Sequence, residues 1–260
     1  MLILDSLGLT IYICIIAALL GAVMGSFLNC LAIRMLNGES ILKGRSHCMS
    51  CNHLLGVADL IPVFSWLFLK GKCRYCGAKM SPRYFIAELV SALAFVGLVL
   101  KFGISLELLE FTVLCCLLLL VSFTDLEDCT IPDKVIIVGL VWRVVWVFLA
   151  EDSTADLKSA LLGAVIISIP LLLVVLLMEK IIKKEAMGGG DFKLLIMVGS
   201  YFSAGLNLVA FIFACILGIL FGLVFAGKGK KFPFGPSIAA GYFITLLIGE
   251  GILNWYLGLF

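Results

Sequence analysis

The sequence predicts an all-α polytopic membrane protein of about eight transmembrane helices, with a small zinc-binding cytoplasmic domain between the first and the second. Three observations carry this. Of the 260 residues, 63% are hydrophobic and 14% are charged, whereas a soluble domain carries about 25% charged residues; the composition suits bilayer as solvent. The apolar residues are gathered into runs near the roughly 20 residues that a helix needs to cross a bilayer. The one long polar stretch holds two Cys-x-x-Cys pairs, a pattern that reads as a metal site.

The first span is expected near Leu9–Ile33. Met1–Asp5 ahead of it lacks a basic stretch, and no small-residue cleavage site stands out near the end of the run, so the run is expected to be retained as a span. A polar segment follows at Arg34–Arg83. Further spans are expected near Tyr84–Leu100, Leu106–Thr124, Val135–Ala150, Ala160–Met178, Phe192–Ser203, Leu206–Ala226 and Ser237–Leu257. The sixth of the eight is short, and a turn near Gly205 separates it from the seventh. The expected organisation is a first transmembrane helix over 1–33, a cytoplasmic zinc-binding domain over 34–83 and a seven-helix membrane core over 84–260.

Charge orients these spans. If they alternate, the connections Arg34–Arg83, Asp125–Lys134, Glu179–Lys193 and Gly227–Pro236 share one side and hold 16 of the 19 Lys and Arg residues. The opposite side keeps Lys101 and Lys158, and Arg143 falls inside the fourth span. Lys and Arg mark the cytoplasmic side, so the polar segment is expected in the cytoplasm and the N-terminus outside. Merging spans six and seven would weaken the asymmetry to 13 against 5, which favours eight. The net charge of +2 is too small to imply nucleic acid as a partner, and membrane lipid is the partner that the composition implies. The six prolines and the lack of polar repeats exclude a disordered chain.

Two carboxylates stand out against this apolar background. Gly188-Gly189-Gly190-Asp191 leads into the sixth span, and Asp125 lies directly on the run Leu114–Phe123. An ionisable group at such a place is costly to desolvate and marks a functional site. The third span runs inward to Asp125 and the sixth runs outward from Asp191, so both are expected at the cytoplasmic boundary. Two close carboxylates share a proton, one serving as base and the other as acid, which suits hydrolysis of a peptide bond by an activated water. The glycines let the backbone leave helical geometry and approach a substrate strand closely, and a helix N-terminus favours a carboxylate at Asp191. Taken alone, Gly188–Asp191 also reads as a linker with a helix cap, and Asp125 as a boundary charge. Pro132 marks the break before the fourth span, Asp133 is a candidate cap for it, and Glu127 and Asp128 read as solvated loop charges.

Cys48-Met49-Ser50-Cys51 and Cys73-Arg74-Tyr75-Cys76 form the second site. Structural disulfides are rare in the cytoplasm, and four thiolates complete a tetrahedral zinc site, with His47 and His53 as bystanders. A membrane thiol-disulfide redox protein is the alternative reading of the same pairs, and a cation-binding carrier or scaffold is a third reading of the aspartates. The remaining six cysteines sit mostly in apolar runs and read as small hydrophobes.

The ordered set of motifs resembles the prepilin peptidases, or type IV leader peptidases. The resemblance rests on Gly25-Ser26-Phe27-Leu28-Asn29 with Arg34; on Arg45-Ser46-x-Cys48-x-x-Cys51 and Cys73-x-x-Cys76-Gly77; on Ile61-Pro62 with Ser65-Trp66-Leu67; on Ser81-Pro82-Arg83-Tyr84 with Glu88; on Asp125 with Ile131-Pro132-Asp133; on Gly188-x-Gly190-Asp191; and on Phe232-Pro233-Phe234-Gly235-Pro236. Met49 departs from the proline often found there and leaves thiolate ligation unaffected. The resemblance implies an intramembrane aspartyl protease of the bacterial inner membrane with Asp125 and Asp191 as its catalytic pair. It implies cleavage of the basic leaders of type IV prepilins and pseudopilins at the cytoplasmic face. It also implies methylation of the new N-terminus with S-adenosyl-L-methionine. No Rossmann glycine fingerprint for that cofactor is present, so Asn29, Arg34 and Glu88 are the candidate cofactor-binding residues. Glu88 reads equally well as an ion-pair partner of Arg83, and Arg34 as a positive-inside anchor. Glu127, Asp128, Asp133 and Asp59 are candidate counter-charges for a basic leader.

Overall fold

The computed structural model describes residues 7–40, 46–150, 152–183, 187–225 and 232–259. Met1–Asp5, Lys43, Arg45, Lys184 and Gly227–Lys231, which entered the reading of signal, motif and charge above, lie outside them. Regular structure among the described residues is helical, apart from two isolated antiparallel bridges that pair His47 with Leu54 and Lys72 with Lys79. The chain divides into two compact units, 1–112 and 113–260.

The first unit holds α1 (Leu7–Leu36), the short α2 (Phe64–Phe68), α3 (Pro82–Phe102) and the start of α4 (Leu106–Asp128). Ser81 starts α3 by accepting the Arg83 N–H, with Pro82 at the first helical position, where its missing donor is not needed. α1 packs along α3 through Gly21 and Gly25. A Cβ at Gly21 would stand 2.6 Å from the Ser91 carbonyl oxygen, and one at Gly25 would stand 2.8 Å from that of Ala87. Glycines four apart thus let two backbones touch, the usual route to helix association in lipid, where burial of apolar area supplies no drive.

The second unit contains the remainder of α4 with α5 (Asp133–Leu149), α6 (Ser153–Ile166), α7 (Ser168–Ile182), α8 (Gly189–Gly199), α9 (Ala204–Phe225) and α10 (Gly235–Leu257). α9 packs along α10, and α8 sits among α5, α6, α7 and α10.

The eight expected spans are all present as helical segments. Among the described residues, six are long and apolar enough to cross a membrane: α1, α3, α4, α6 with α7 as one 30-residue span, α9 and α10. α5 has 17 residues and α8 has 11. At 1.5 Å per residue, α8 is about 16 Å long, half of an apolar core of about 30 Å.

Several local expectations are corrected. α4 continues to Asp128, so Glu127 and Asp128 stand in its exposed last turn rather than in a loop. Pro132, not Asp133, occupies the cap position of α5, and Asp133 lies in the first turn. The fifth span breaks at Ile167, three residues before Pro170, which has no N–H to offer the preceding turn. The turn ahead of α9 falls at residues 200–203. Gly205 lies inside α9 against Leu253.

Candidate active site and metal centre

Asp125 lies near the end of α4 and is 4% exposed. Its carboxylate Oδ2 accepts the Gly235 N–H at 2.8 Å. Gly235 opens α10, so that amide is one of the four that a helix leaves without an internal acceptor. A carboxylate placed there satisfies the donor and meets the positive end of the helix. The contact requires glycine: a Cβ at Gly235 would stand 2.8 Å from the same Oδ2.

Asp191 lies in the first turn of α8, whose cap is Gly188. Its backbone N–H donates to the Gly188 carbonyl at 3.1 Å. Gly190 packs on Ile131, where an added Cβ would stand 3.1 Å from the isoleucine Cβ, so the glycine brings the start of α8 against the segment that links α4 to α5. Gly189 faces open space. Asp125 and Asp191 line one cavity of about 220 Å³ together with Gly188–Gly190 and residues 129–131. At its rim the exposed Asp133 and Lys193 pair at 2.6 Å. The two aspartates are thus brought together by two helix N-termini, and Asp133 is held by a lysine.

α8 ends buried among the packed helices, and its last carbonyls need donors there. Asn207, fully buried on α9, donates from Nδ2 to the carbonyls of Gly199, Phe202 and Ser203 at 3.0, 2.8 and 3.2 Å, and accepts the Tyr242 hydroxyl at 2.9 Å. Arg143 donates to the Ser200 carbonyl at 2.9 Å and pairs with Asp156 at 2.7 Å. The charge inside the fourth span therefore has a structural task at the far end of the helix that carries Asp191.

The candidate metal centre lies in the first unit. The Sγ atoms of Cys48, Cys51, Cys73 and Cys76 all fall within 4.8 Å of one another, with those of Cys48 and Cys76 at 3.9 Å. A zinc–sulfur bond of about 2.3 Å implies tetrahedral sulfur–sulfur edges of about 3.8 Å, so the thiols fit the ion. The two halves are built alike. The Cys48 and Cys73 amides donate to the His53 and Ala78 carbonyls, and their own carbonyls accept from Asn52 and Gly77. Both acceptor turns need positive φ, 56° at Asn52 and 71° at Gly77, values that asparagine and glycine tolerate best. The Ser50 and Cys51 amides hold the Cys48 thiol down to about 6. At Cys76 the Ala78 amide acts the same way, but desolvation and the neighbouring thiols outweigh it and push the group up to about 11. His53 stacks on Tyr75 at 3.6 Å, so it braces the fold.

Asp59 is committed within this domain. Burial would raise its carboxyl, but the Gly56 amide, Arg74 at 2.6 Å and Tyr75 at 3.1 Å hold it below the usual range. Asn29, Arg34 and Glu88 each meet different groups. Glu88 is buried and accepts the Val63 N–H at 2.7 Å. Asn29 is buried, accepts from Arg83 at 3.1 Å, and leaves its Nδ2 without a partner among the described residues. Arg34 instead lines a second cavity, of about 330 Å³, with Ser26, Cys30, Ser46, Leu60 and Pro62.

Residues 19–102 match the family model of the bacterial peptidase A24 N-terminal domain, and residues 112–223 that of the type IV leader peptidase family. The chain is 34% identical over 244 residues to the prepilin leader peptidase/N-methyltransferase of Bacillus subtilis, covering 91% of this chain and 95% of that one. It is 31% identical over 253 residues to the type 4 prepilin-like proteins leader peptide-processing enzyme of Escherichia coli, covering 90% and 93%. With the prepilin leader peptidase/N-methyltransferase of Myxococcus xanthus it shares 33% identity over 216 residues, covering 82% and 64%. The chain belongs to the type IV leader peptidase family.

This leader peptidase is therefore an enzyme, and the two family matches fall one in each compact unit. Sequence reasoning did not find the role of Gly235. The signal was present in Phe232–Pro236, but no spacing along the chain reveals that a glycine 110 positions away donates to Asp125. The role of Asn207 is equally hidden in the sequence, because a lone asparagine in an apolar run does not name its acceptors. No solved structure matches this chain.

Proposed function

We propose that the protein cleaves the basic leader of type IV prepilins or pseudopilins at the cytoplasmic face of the bacterial inner membrane, with Asp125 and Asp191 as the catalytic pair. The observation that carries this is the shared cavity, with one carboxylate on each of two helices and a glycine run between them. The leader peptide lies along Gly188–Gly190, where no side chain blocks its backbone. One carboxylate, ionised, takes a proton from water as it attacks the scissile carbonyl. The other, protonated, gives its proton to the leaving amine. No covalent intermediate forms. Gly235 fixes Asp125, and Gly188, Gly190, Pro132 and Asp133 shape the approach. The relatives named as prepilin leader peptidases support this substrate class.

The four cysteines hold structural Zn2+, which supplies folding free energy to a segment with little core. A single mutual cluster of four thiols favours this over a redox relay, which needs two separable pairs. The names of the relatives also support N-methylation of the new terminus. S-adenosyl-L-methionine supplies the methyl group, and the cavity at Arg34 suits it: the guanidinium matches its carboxylate, and Ser26 and Ser46 offer hydroxyls beside apolar walls. Asn29 and Glu88 hold the helices and the turn that frame this cavity. The N-terminus lies outside and the zinc domain in the cytoplasm.

The test is incubation of the purified enzyme with a prepilin and S-adenosyl-L-methionine, followed by mass measurement of the product N-terminus. Asp125→Asn and Asp191→Asn are each expected to lower cleavage by about a thousandfold or more, while the protein still inserts and retains its metal. Full cleavage by either variant rules out the pair.

A further inference from the structure

We propose that α2 is an interfacial anchor whose apolar face lies among the headgroups and upper acyl chains of an anionic bilayer leaflet. The inference rests on α1 and α3 crossing the membrane and is independent of the peptidase chemistry.

Depth is the first argument, and two helices gauge it. Trp66 of α2 stacks on Phe85 at 4.9 Å, and the Val63 N–H just ahead of α2 reaches Glu88 at 2.7 Å. Phe85 and Glu88 lie three and six residues inside α3, about 4.5 and 9 Å along its axis. Leu60 and Pro62 share a cavity whose α1 wall runs from Val23 through Phe27 and Cys30 to Arg34, and Cys30, midway along it, lies six residues, again about 9 Å, inside the end of α1. Residues 60–66 therefore sit level with the lipid-facing part of both helices, where Phe27, Ile86 and Leu89 are exposed. An interfacial helix is buried about 5–10 Å into the same boundary.

The exposed face is the second argument. Trp66 turns toward α3, while Phe64, Leu67 and Phe68, spaced as i, i+3 and i+4, are 51, 50 and 82% exposed. A stripe of this kind facing water is costly; at this depth it faces lipid. The third argument is charge. Lys70, Lys72 and Lys79 are exposed immediately after the stripe, and the bridge between Lys72 and Lys79 sets two of them side by side. Basic residues flanking an apolar helix face match anionic phosphate. The fourth is rigidity. Val63 has φ 65° and ψ −54°, with the Phe64 N–H bonded to the Pro62 carbonyl at 2.6 Å. This is a strained γ-turn for a β-branched residue. The buried Glu88 carboxylate holds it, and the chain is thereby turned at a set depth.

The test places a photoreactive benzophenone analogue of phenylalanine at position 68 of the full-length protein in nanodiscs. The same analogue at Leu93, exposed on α3, reports lipid contact directly. Position 68 is expected to yield phospholipid adducts comparable to those at position 93. Adducts at 93 with none at 68, or capture at 68 of a second copy or of an added prepilin, would overturn the proposal. In a second arm, amide exchange over residues 57–72 is compared between anionic and zwitterionic nanodiscs. Exchange is expected to be several-fold slower with anionic lipid, and the Lys70→Glu/Lys72→Glu variant is expected to lose that difference. Equal exchange in both lipids for the unmodified protein contradicts the phosphate contact. Neither arm reads leader cleavage, so failure of the anchor and failure of the peptidase reading remain distinguishable.

Discussion

A carboxylate at the end of an apolar helix must be solvated by something other than water. At Asp125 the solvating group is the first amide of α10, delivered by a glycine that has no side chain to keep the helix away. Gly235→Ala leaves the hydrogen-bond donor in place but puts a methyl group where the carboxylate now stands. The expected result is a loss of leader cleavage of about tenfold to a hundredfold, since a displacement of about 1 Å in a reacting group costs on that order. Metal content and insertion stay unchanged. A parallel assay of cleavage rate and bound zinc checks this. Asp125 and Asp191 were legible because a charge set against an apolar run is expensive and therefore conspicuous. Their partners were not, because a backbone amide carries no sequence signature.

The element that the active site depends on most is α8, a helix too short to span. Its N-terminus presents Asp191, and its C-terminus is closed by Asn207 and Arg143. Replacing Asn207 with the similarly sized leucine removes the Nδ2 donors; the Gly199 and Ser203 carbonyls keep backbone donors, while the Phe202 carbonyl and the buried Tyr242 hydroxyl lose this partner. Each such group costs about 1–3 kcal/mol, so the expected loss is on the order of 3 kcal/mol in all, seen as a lower thermal unfolding midpoint in detergent. Arg143→Met strands Asp156 and frees the Ser200 carbonyl, and a loss of similar size is expected. An unchanged midpoint in both variants would mean that the end of α8 is satisfied by other groups. The shortness of α8 was readable from its run of apolar residues. What holds its end was not, because the donors come from α5 and α9.

For the whole molecule, composition determines the solvent and charge asymmetry determines the proposed orientation, while the proposed metal would tie together the polar segment that holds the four cysteines. Zinc requires thiolates, and protons compete for them. The Cys48 thiol, held near 6, is the first to ionise and the last to be reprotonated. Falling pH therefore weakens the site, and rising pH through that range restores it. A chelator is expected to strip the metal faster at a pH of about 5 than at about 7.5, measured by metal content and by protease sensitivity of residues 46–80. Equal rates at the two values would argue against thiolate ligation.

The sequence by itself determined an all-helical membrane protein, the places of eight helical segments, the two aspartates and the four cysteines. Those features are periodic, compositional or chemically unusual, so they survive reading in one dimension. Tertiary structure decided the rest. It sent Arg34 to a cavity, gave Asn29 to Arg83 and Glu88 to the Val63 amide, gave Asp133 to Lys193 and Asp59 to Arg74, and supplied Asp125 with the N-terminus of α10. In each case the deciding group is a backbone amide, a counter-charge or a missing side chain brought from a distant segment. Only packing determines which of several equally polar or equally small residues arrives at that point.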